Sequence, residues 1–257
     1  MAKYNIKGNQ YTKELCEKLD VPFKQIGALV IAFSEEEIKT LEELKARGEA
    51  NGVPDMEIWN QEKLRQEEPN VSKEAKAALS SPNVGIVSPW ELAIALAEVS
   101  AQNGVEYKLD TKVTGIEKAE EGYQIETNQG MVEAKYICNA AGVFADKVYE
   151  ITPNKGEYYL LDKSQGTLVN HVIFQCPNEN GKGVLVAPTV HGNLIVGPDS
   201  QPSAGDDVST TKVGLDFVRN TAIKSVPGIN FRESIRNFAG VRARTKNHDF
   251  QIYEDKK

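Results

Sequence analysis

The sequence has 257 residues, of which 40% are hydrophobic, and a formal net charge of −7. This length and apolar content are enough for a sizeable core in one large domain or in two interleaved ones. Because the Lys and Arg residues alternate with Glu and Asp and form no basic stripe, the composition argues against nucleic acid as a partner.

Apolar runs and cysteines narrow the class of protein further. No apolar run approaches the length that spans a bilayer, and the start of the chain lacks the apolar core of a signal peptide. We therefore expect a cytoplasmic protein without a transmembrane segment. Cys16, Cys138 and Cys176 are widely spaced, and the three histidines show no ligand spacing. We expect incidental thiols and no metal site.

The first fifty residues predict a helix, a strand and a second helix. The first helix is expected around residues 11–19, and the apolar run 26–33 is typical of a strand. Ser34 and Glu37 have the spacing of a capping box. The second helix is therefore predicted to begin at Ser34 and to end near Gly48.

A second capping box lies further along the chain. After a short charged helix and turns at two prolines, Ser88 and Glu91 repeat the spacing, with Pro89 at the first helical position. This helix should close at Asn103-Gly104. Strands are predicted over 105–109 and 111–116. A hairpin follows, with strands over 123–127 and 131–135 around a loop that contains Gly130.

The stretch YICNAAGVFADKV, residues 136–148, reads as a strand that runs into Asn139-Ala140-Ala141-Gly142. Small residues at the end of a strand let another backbone or a flat ligand approach closely. In open α/β sheets, nucleotides lie at the carboxyl ends of strands. Taken alone, these residues fit two interpretations equally, a shelf for a dinucleotide and a tight turn packed under a helix.

From residue 151 onward the pattern changes to strands separated by Gly, Asn and Pro. Strands are expected over 157–162, 169–176, 183–190, 194–197, 237–245 and 250–253, with one helix over 210–224. We predict an α/β fold of mixed character with two interleaved domains. A partial dinucleotide-binding domain takes residues 1–24 and 55–150. A substrate-binding domain with an antiparallel sheet takes 25–54 and 151–257.

The order of these motifs resembles a known family, the FAD-dependent oxidoreductases of the D-amino-acid-oxidase type. The early blocks are similar to its flavin-binding part, namely S-P-W-E, T-K-V-T-G-I, the hairpin and N-A-A-G-V-F-A-D. The later blocks resemble the branch with glycerol-3-phosphate dehydrogenases and L-2-hydroxyglutarate oxidases, namely N-K-G-E-Y-Y-L-L-D, H-G-N-L-I-V-G-P and F-A-G-V-R-A. The resemblance covers nearly the whole chain.

The departures from the family pattern concern the cofactor. Family members begin with a GxGxxG loop that holds the FAD pyrophosphate, and no GxGxxG occurs in this sequence. They also finish with a Gly-rich strand-to-helix segment near the flavin ring, whereas this sequence stops shortly after F-A-G-V-R-A. We therefore expect an internal fragment of a longer enzyme that binds FAD weakly or not at all. The resemblance implies that Val113, Ala140, Ala141 and Gly142 contact the adenosine end of FAD by shape and through backbone groups.

The resemblance implies oxidation of a C–H bond next to a hydroxyl, with hydride passing to the flavin. The expected substrate is glycerol 3-phosphate or a 2-hydroxy acid such as 2-hydroxyglutarate. An amino acid is the second interpretation, and a non-catalytic domain is the third, because both flavin-anchoring ends are absent from the sequence. The electron acceptor and the oligomeric state stay open.

An anionic substrate requires a fixed cation with planar donors, and arginine fits that requirement. The family motif F-A-G-V-R-A places its substrate-side arginine at Arg242, where Gly240 permits close approach. A salt bridge on a strand face is the alternative role. Arg244 should point to the same face in a regular strand and support or replace Arg242.

Two further side chains are candidates for the site. Tyr158 lies in K-G-E-Y-Y, and its phenol is expected to hydrogen-bond the substrate or to cover the flavin, with simple packing as the alternative. His191 has a side chain suited to a base. However, V-H-G-N-L reads as an exposed hairpin turn, so His191 is assigned a structural role and no catalytic base is named.

Overall fold

The computed structural model describes residues 2–147, 150–177, 183–203, 205–246, 249, 250 and 252. Its α-helices are α1 (Ala2–Lys18), α2 (Glu35–Ala50), α3 (Gln61–Glu67), α4 (Pro89–Gln102) and α5 (Lys212–Ser225). The first helix starts at Ala2, well before the predicted start near residue 11. Among the described helices, none combines the length and the apolar character that crossing a bilayer demands.

Nine strands form one large sheet. They are β2 (Ala28–Ala32), β3 (Glu57–Asn60), β4 (Ala77–Ser81), β9 (Ile151–Leu161), β10 (Val172–Gln175), β11 (Leu185–Pro188), β12 (Leu194–Gly197), β13 (Gln201–Pro202) and β14 (Ser234–Thr245). The order is β13-β9-β12-β11-β10-β2-β4-β3, and β14 pairs with β9. Every pairing is antiparallel except that of β10 with β2. The predicted fold of mixed α and β character is confirmed.

Two smaller sheets lie outside the large one. The strands β1 (Phe23–Gln25) and β5 (Gly85–Val87) pair antiparallel. The strands β6 (Val113–Ala119), β7 (Gly122–Thr127) and β8 (Gly130–Ala134) form an antiparallel meander. The predicted hairpin is therefore present, with Asn128-Gln129 as its loop.

The core lies on both faces of the large sheet. The side chains of β2 alternate between the two faces of the sheet. Leu29 and Ile31 join a cluster that includes Val218 of α5. Ala32 of β2 joins another cluster with Leu41 of α2. Each fully buried Leu or Ile contributes roughly 1.5–3 kcal/mol. The two helices therefore hold the sheet between them, and the sheet gives the strand pair β9 and β14 a rigid support.

The serine caps of the two predicted capping boxes are both confirmed at the helix starts. The Ser34 side chain accepts a hydrogen bond from the Glu37 backbone N–H at 3.1 Å at the start of α2. The Ser88 side chain accepts one from Glu91 N–H at 3.4 Å at the start of α4, where Pro89 is the first helical residue. These signals are local, because each satisfies an end group of its own helix.

Two predicted strands are wrong. Residues 105–109 and 136–138 belong to no strand, and Leu109 and Tyr136 are 77% and 90% exposed. A strand needs a neighbour for its backbone N–H and C=O groups, and none of the described strands pairs with these residues. The residues after this stretch form a 3-10 helix over Gly142–Lys147. Of the last predicted strand, residues 250 and 252 are not in a strand, and 251 and 253 lie outside the described residues.

The predicted domain boundary at residue 55 falls inside the large sheet. Strands β3 and β4, which follow that boundary, pair with each other and with β2. The sheet thus extends to Ser81, while β6 to β8 form a sheet of their own. The division into two domains stays a prediction.

Candidate functional site

The strand pair β9 and β14 brings three predicted site residues to one face of the sheet. In this register Phe238 lies opposite Tyr158, Gly240 opposite Gly156, and Arg242 opposite Asn154. Residues directly opposite in an antiparallel pair project to the same face, and so do residues two apart along one strand. Tyr158, Gly240 and Arg242 therefore share a face.

A glycine that the sequence analysis missed makes room for the arginine. An added Cβ at Gly156 would lie 3.1 Å from Nη2 of Arg242 and 2.7 Å from Cβ of Pro198. At Gly240, by contrast, an added Cβ would meet nothing within 4 Å. The guanidinium thus lies over Gly156, while Gly240 borders open space. A glycine in the middle of a strand, as in K-G-E-Y-Y, was the signal for this close approach.

Tyr158 forms an aromatic wall with two other rings. Its ring stacks on Phe238 with centroids 5.1 Å apart and planes 9° from parallel. The Trp90 ring at the start of α4 meets Phe238 edge-on at 6.2 Å. Burial raises the pKa of the Tyr158 phenol, Arg242 counteracts part of this effect, and Asp199 adds to it. The phenol therefore keeps its proton at neutral pH and is able to donate a hydrogen bond.

The opposite face of β9 carries a buried polar network that the sequence did not reveal. Lys155 Nζ lies 3.0 Å from Asp207 Oδ2 and donates to the Ser209 carbonyl at 2.9 Å. Glu157 is fully buried and accepts hydrogen bonds from the Thr211 N–H at 2.8 Å and the Thr211 hydroxyl at 2.9 Å. Hydrogen bonds from Ser209, together with Lys155, lower the pKa of Asp207 to about 2.

The stretch predicted to face the cofactor is open to solvent. Asn139, Ala140, Ala141 and Gly142 are exposed, and an added Cβ at Gly142, whose φ is +58°, would meet nothing within 4 Å. The 3-10 helix that starts at Gly142 lies against β14. These exposed small residues leave room for a ligand, and their contact with the adenosine end of FAD stays a prediction. The sequence supplies no GxGxxG loop for a pyrophosphate.

The remaining candidates occupy defined positions. Val113 is half exposed at the start of β6. Arg244 continues the unbroken register of β14 and shares the face of Arg242. His191 lies in the turn between β11 and β12, where its Nε2 is 2.8 Å from Glu91 Oε2. This contact joins the hairpin tip to the start of α4, which supports a structural role.

Comparison with known proteins gives one family and several relatives. The family model described as "FAD dependent oxidoreductase" matches residues 1–256. A glycerol 3-phosphate dehydrogenase of Caloramator mitchellensis is 48% identical over 262 residues, which cover 98% of this chain and 55% of that protein. An L-2-hydroxyglutarate dehydrogenase of Escherichia coli O17:K52:H18 is 30% identical and covers 77% of this chain and 49% of that protein.

A solved structure with FAD bound is also similar. The dithionite-reduced L-alpha-glycerophosphate oxidase of Mycoplasma pneumoniae superposes with a TM-score of 0.86 at 30% identity, over 95% of this chain and 68% of that one. The chain thus spans about half to two thirds of the length of these relatives.

Proposed function

The chain belongs to the family of FAD dependent oxidoreductases, and on that premise we propose that it carries the substrate side of an enzyme that oxidises glycerol 3-phosphate. The observation that supports this proposal most strongly is the placement of the Arg242 guanidinium over Gly156, beside the Tyr158 and Phe238 rings. A cation next to an aromatic wall suits a small molecule with an anionic end and a short carbon chain.

The residues of this face have separate tasks in the proposed reaction. The planar donors of Arg242 hold the phosphate oxygens in two parallel hydrogen bonds and so fix the orientation of the substrate. The Tyr158 phenol donates to a substrate oxygen. The stacked rings of Tyr158 and Phe238 exclude water from one side. Together these contacts hold the reacting carbon in one position.

FAD, when bound, would supply the acceptor for the two electrons. In this chain Val113, Ala140, Ala141 and Gly142 would lie along its adenosine end, where exposed small side chains leave room. A cytoplasmic location and a partner that accepts electrons from the flavin belong to the same proposal.

A 2-hydroxy acid is the second candidate substrate. The L-2-hydroxyglutarate dehydrogenase of E. coli matches over 77% of this chain, and an arginine holds a carboxylate with the same fork of donors as a phosphate. An amino acid is the third candidate substrate, and a purely non-catalytic role is the fourth hypothesis. Each of these hypotheses makes a different prediction for binding of glycerol 3-phosphate.

Substitution of Arg242 tests the proposed function directly. We expect the chain to bind glycerol 3-phosphate but not glycerol, and Arg242→Ala to weaken binding at least about tenfold, since a charged hydrogen bond is worth about 1.5–3 kcal/mol. Titration followed by NMR or calorimetry measures both affinities. Arg232→Ala, an exposed arginine in the 3-10 helix Phe231–Glu233, serves as the control and should bind like the unaltered chain.

The same titration separates the candidate substrates. Tighter binding of L-2-hydroxyglutarate than of glycerol 3-phosphate would favour the 2-hydroxy acid, and a preference for glycine would favour the amino acid. If none of these ligands binds, or if Arg242→Ala binds glycerol 3-phosphate as tightly as the unaltered chain, the proposed function is wrong.

A further inference from the structure

Within the described part of the chain, strand β9 lacks a strand partner on one side over three residues. Strand β12 pairs with β9 at Tyr159, Leu160 and Leu161, and β13 pairs with it at Asn154 and Lys155. Between these pairings, residues 156–158 have no described strand on that side. They include Gly156, which lies under the Arg242 guanidinium, and Tyr158, so this segment carries the candidate site.

The side chain of Asp199 occupies the position of the missing strand. It is 4% exposed, and its Oδ1 accepts a hydrogen bond from the Glu157 backbone N–H at 2.7 Å. Its Oδ2 accepts a hydrogen bond from the Gln201 side chain. A carboxylate thus replaces the carbonyl that a neighbouring strand would offer, which satisfies a buried N–H in the middle of the gap.

The same residue also shapes the space around Gly156. The backbone oxygen of Asp199 lies 3.2 Å from the position of a Cβ on Gly156, next to Arg242 Nη2 on the same glycine. The connection that begins at Pro198 therefore borders the same space above Gly156 that the Arg242 guanidinium occupies. Movement of this connection would alter both the backbone at Glu157 and the room for Arg242.

The buried side chain of Asp199 lies next to the start of α5. An added Cβ at Gly214, in the first turn of α5, would lie only 2.7 Å from Asp199 Oδ2. The amino-terminal end of a helix carries partial positive charge and favours a neighbouring carboxylate. The absence of a side chain at Gly214 allows this close approach. Helix α5 packs into the main core and so holds its first turn in a fixed position next to the carboxylate.

We propose that Asp199 is a positioning residue that holds the segment 156–158 of β9 in register, so that Arg242 and Tyr158 face the substrate with fixed spacing. This inference rests on the proposed function, because its consequence is the affinity for an anionic substrate. Asp199 acts through Glu157 N–H and the space above Gly156, and it does not contact the substrate.

The test compares two substitutions of Asp199 with glycerol 3-phosphate as the ligand. Asp199→Ala removes the acceptor and is expected to weaken binding at least about tenfold. Asp199→Asn keeps an oxygen that accepts from Glu157 N–H, and its affinity should stay within about threefold. Asp206→Ala, an exposed acidic residue in the connection between β13 and α5, should bind like the unaltered chain.

A double substitution shows whether the effect passes through Arg242. In an Arg242→Ala background, Asp199→Ala should cause a smaller further loss, because only the Tyr158 contact remains for it to position. An equal loss in both backgrounds, or no loss on Asp199→Ala in a chain that is folded by circular dichroism, overturns the proposal. Hydrogen exchange of the Glu157 amide in the unaltered chain adds a readout that is independent of ligand.

This exchange measurement also keeps the outcomes distinct. If the unaltered chain does not bind glycerol 3-phosphate, the proposed function fails, and a Glu157 amide that exchanges as fast as exposed amides overturns the role of Asp199 separately. If Asp199→Ala does not fold, the test uses Asp199→Asn in its place. A protected Glu157 amide together with retained affinity for glycerol 3-phosphate in Asp199→Asn supports the proposal, whereas fast exchange of this amide contradicts it.

Discussion

Gly156 and Gly240 face each other across β9 and β14, yet their surroundings differ. Gly156 is buried beneath Arg242 and beside Pro198, whereas Gly240 borders open space. A methyl group at Gly156 would overlap with Pro198, and one at Gly240 would project away from other atoms. Of the two, Gly156 is the glycine whose missing side chain the arrangement of Arg242 requires.

Alanine at each glycine therefore gives a matched pair of variants. We expect Gly156→Ala to lower the free energy of unfolding by about 1–3 kcal/mol, as overpacking typically does. Gly240→Ala should be neutral or stabilise by up to about 1 kcal/mol, because glycine within a strand is unfavourable. Urea denaturation measures both values. Equal destabilisation by the two substitutions would contradict the close packing of Pro198 and Arg242 against Gly156.

The polar residues behind the site show what the sequence did not reveal. Asp199 is 42 positions from Glu157, and Thr211 is 54 positions from it. A pattern within ten or fifteen residues contains no information about such partners. Arg242 and Tyr158 are predicted from family motifs, and the structure places both on one face, but their roles in binding stay predictions. The sequence signal for Asp199 was a charged residue two positions after the apolar strand L-I-V-G.

At the scale of elements, the starts of α2 and α4 and the hairpin predicted from local sequence patterns are confirmed. The strand predicted over 105–109, which needs a pairing partner, is wrong. Both capping boxes mark the true starts of α2 and α4, since a cap satisfies groups within its own helix. The hairpin of β7 and β8 is also predicted correctly, because its turn and both strands are adjacent in sequence. Residues 105–109 alternate like a strand, yet no described strand pairs with them. Periodicity alone therefore did not suffice.

The junction between α3 and the strands β2 and β10 depends on one buried carboxylate. Glu68, which ends α3 and is almost fully buried, accepts hydrogen bonds at Oε1 from the backbone N–H groups of Asn170 and His171. The Nδ1 of His171 also lies 2.7 Å from this oxygen. The ring of Trp59 meets His171 edge-on at 5.6 Å. These contacts fix the start of β10 beside β2.

Removal of this carboxylate should destabilise the protein strongly. Glu68→Ala leaves the backbone N–H groups of Asn170 and His171 and the histidine ring without their acceptor, and we expect a loss of about 1–3 kcal/mol in the free energy of unfolding. The neighbouring Glu67 is exposed, and Glu67→Ala should change stability by less than about 0.5 kcal/mol. Thermal and urea unfolding measure both. A loss below that of an ordinary surface substitution would show that the junction does not depend on Glu68.

At the scale of the whole molecule, the core and the exposed apolar side chains lie in different parts of the chain. The buried clusters come from the large sheet with α2 and α5. Helix α4 has no buried residue, although it is rich in apolar side chains, and Trp90, Leu109 and Tyr136 are largely exposed. The stability of this chain therefore comes mainly from the large sheet with α2 and α5, and the exposed residues 139–142 contribute little to it.

This distribution leads to a prediction for the cofactor. The sequence has no GxGxxG loop, so it lacks the glycine-rich helix start whose backbone amides would bind the pyrophosphate. Ala140, Ala141 and Gly142 offer shape and backbone groups on an exposed surface. Contacts of this kind replace few of the hydrogen bonds that a charged pyrophosphate makes in water. We therefore expect the purified chain to be colourless and to keep far less than one FAD per molecule after mixing and desalting.

Absorbance in the flavin bands before and after addition of FAD measures this ratio, and fluorescence quenching of FAD measures the residual affinity. Gly142→Leu is the matched variant, because open space above Gly142 accepts the side chain, but its φ of +58° disfavours any residue other than glycine. If the weak binding uses this surface, Gly142→Leu should reduce it further without loss of the main fold. Stoichiometric yellow flavin in the purified chain would contradict the prediction, since it would require a pyrophosphate site built from other residues.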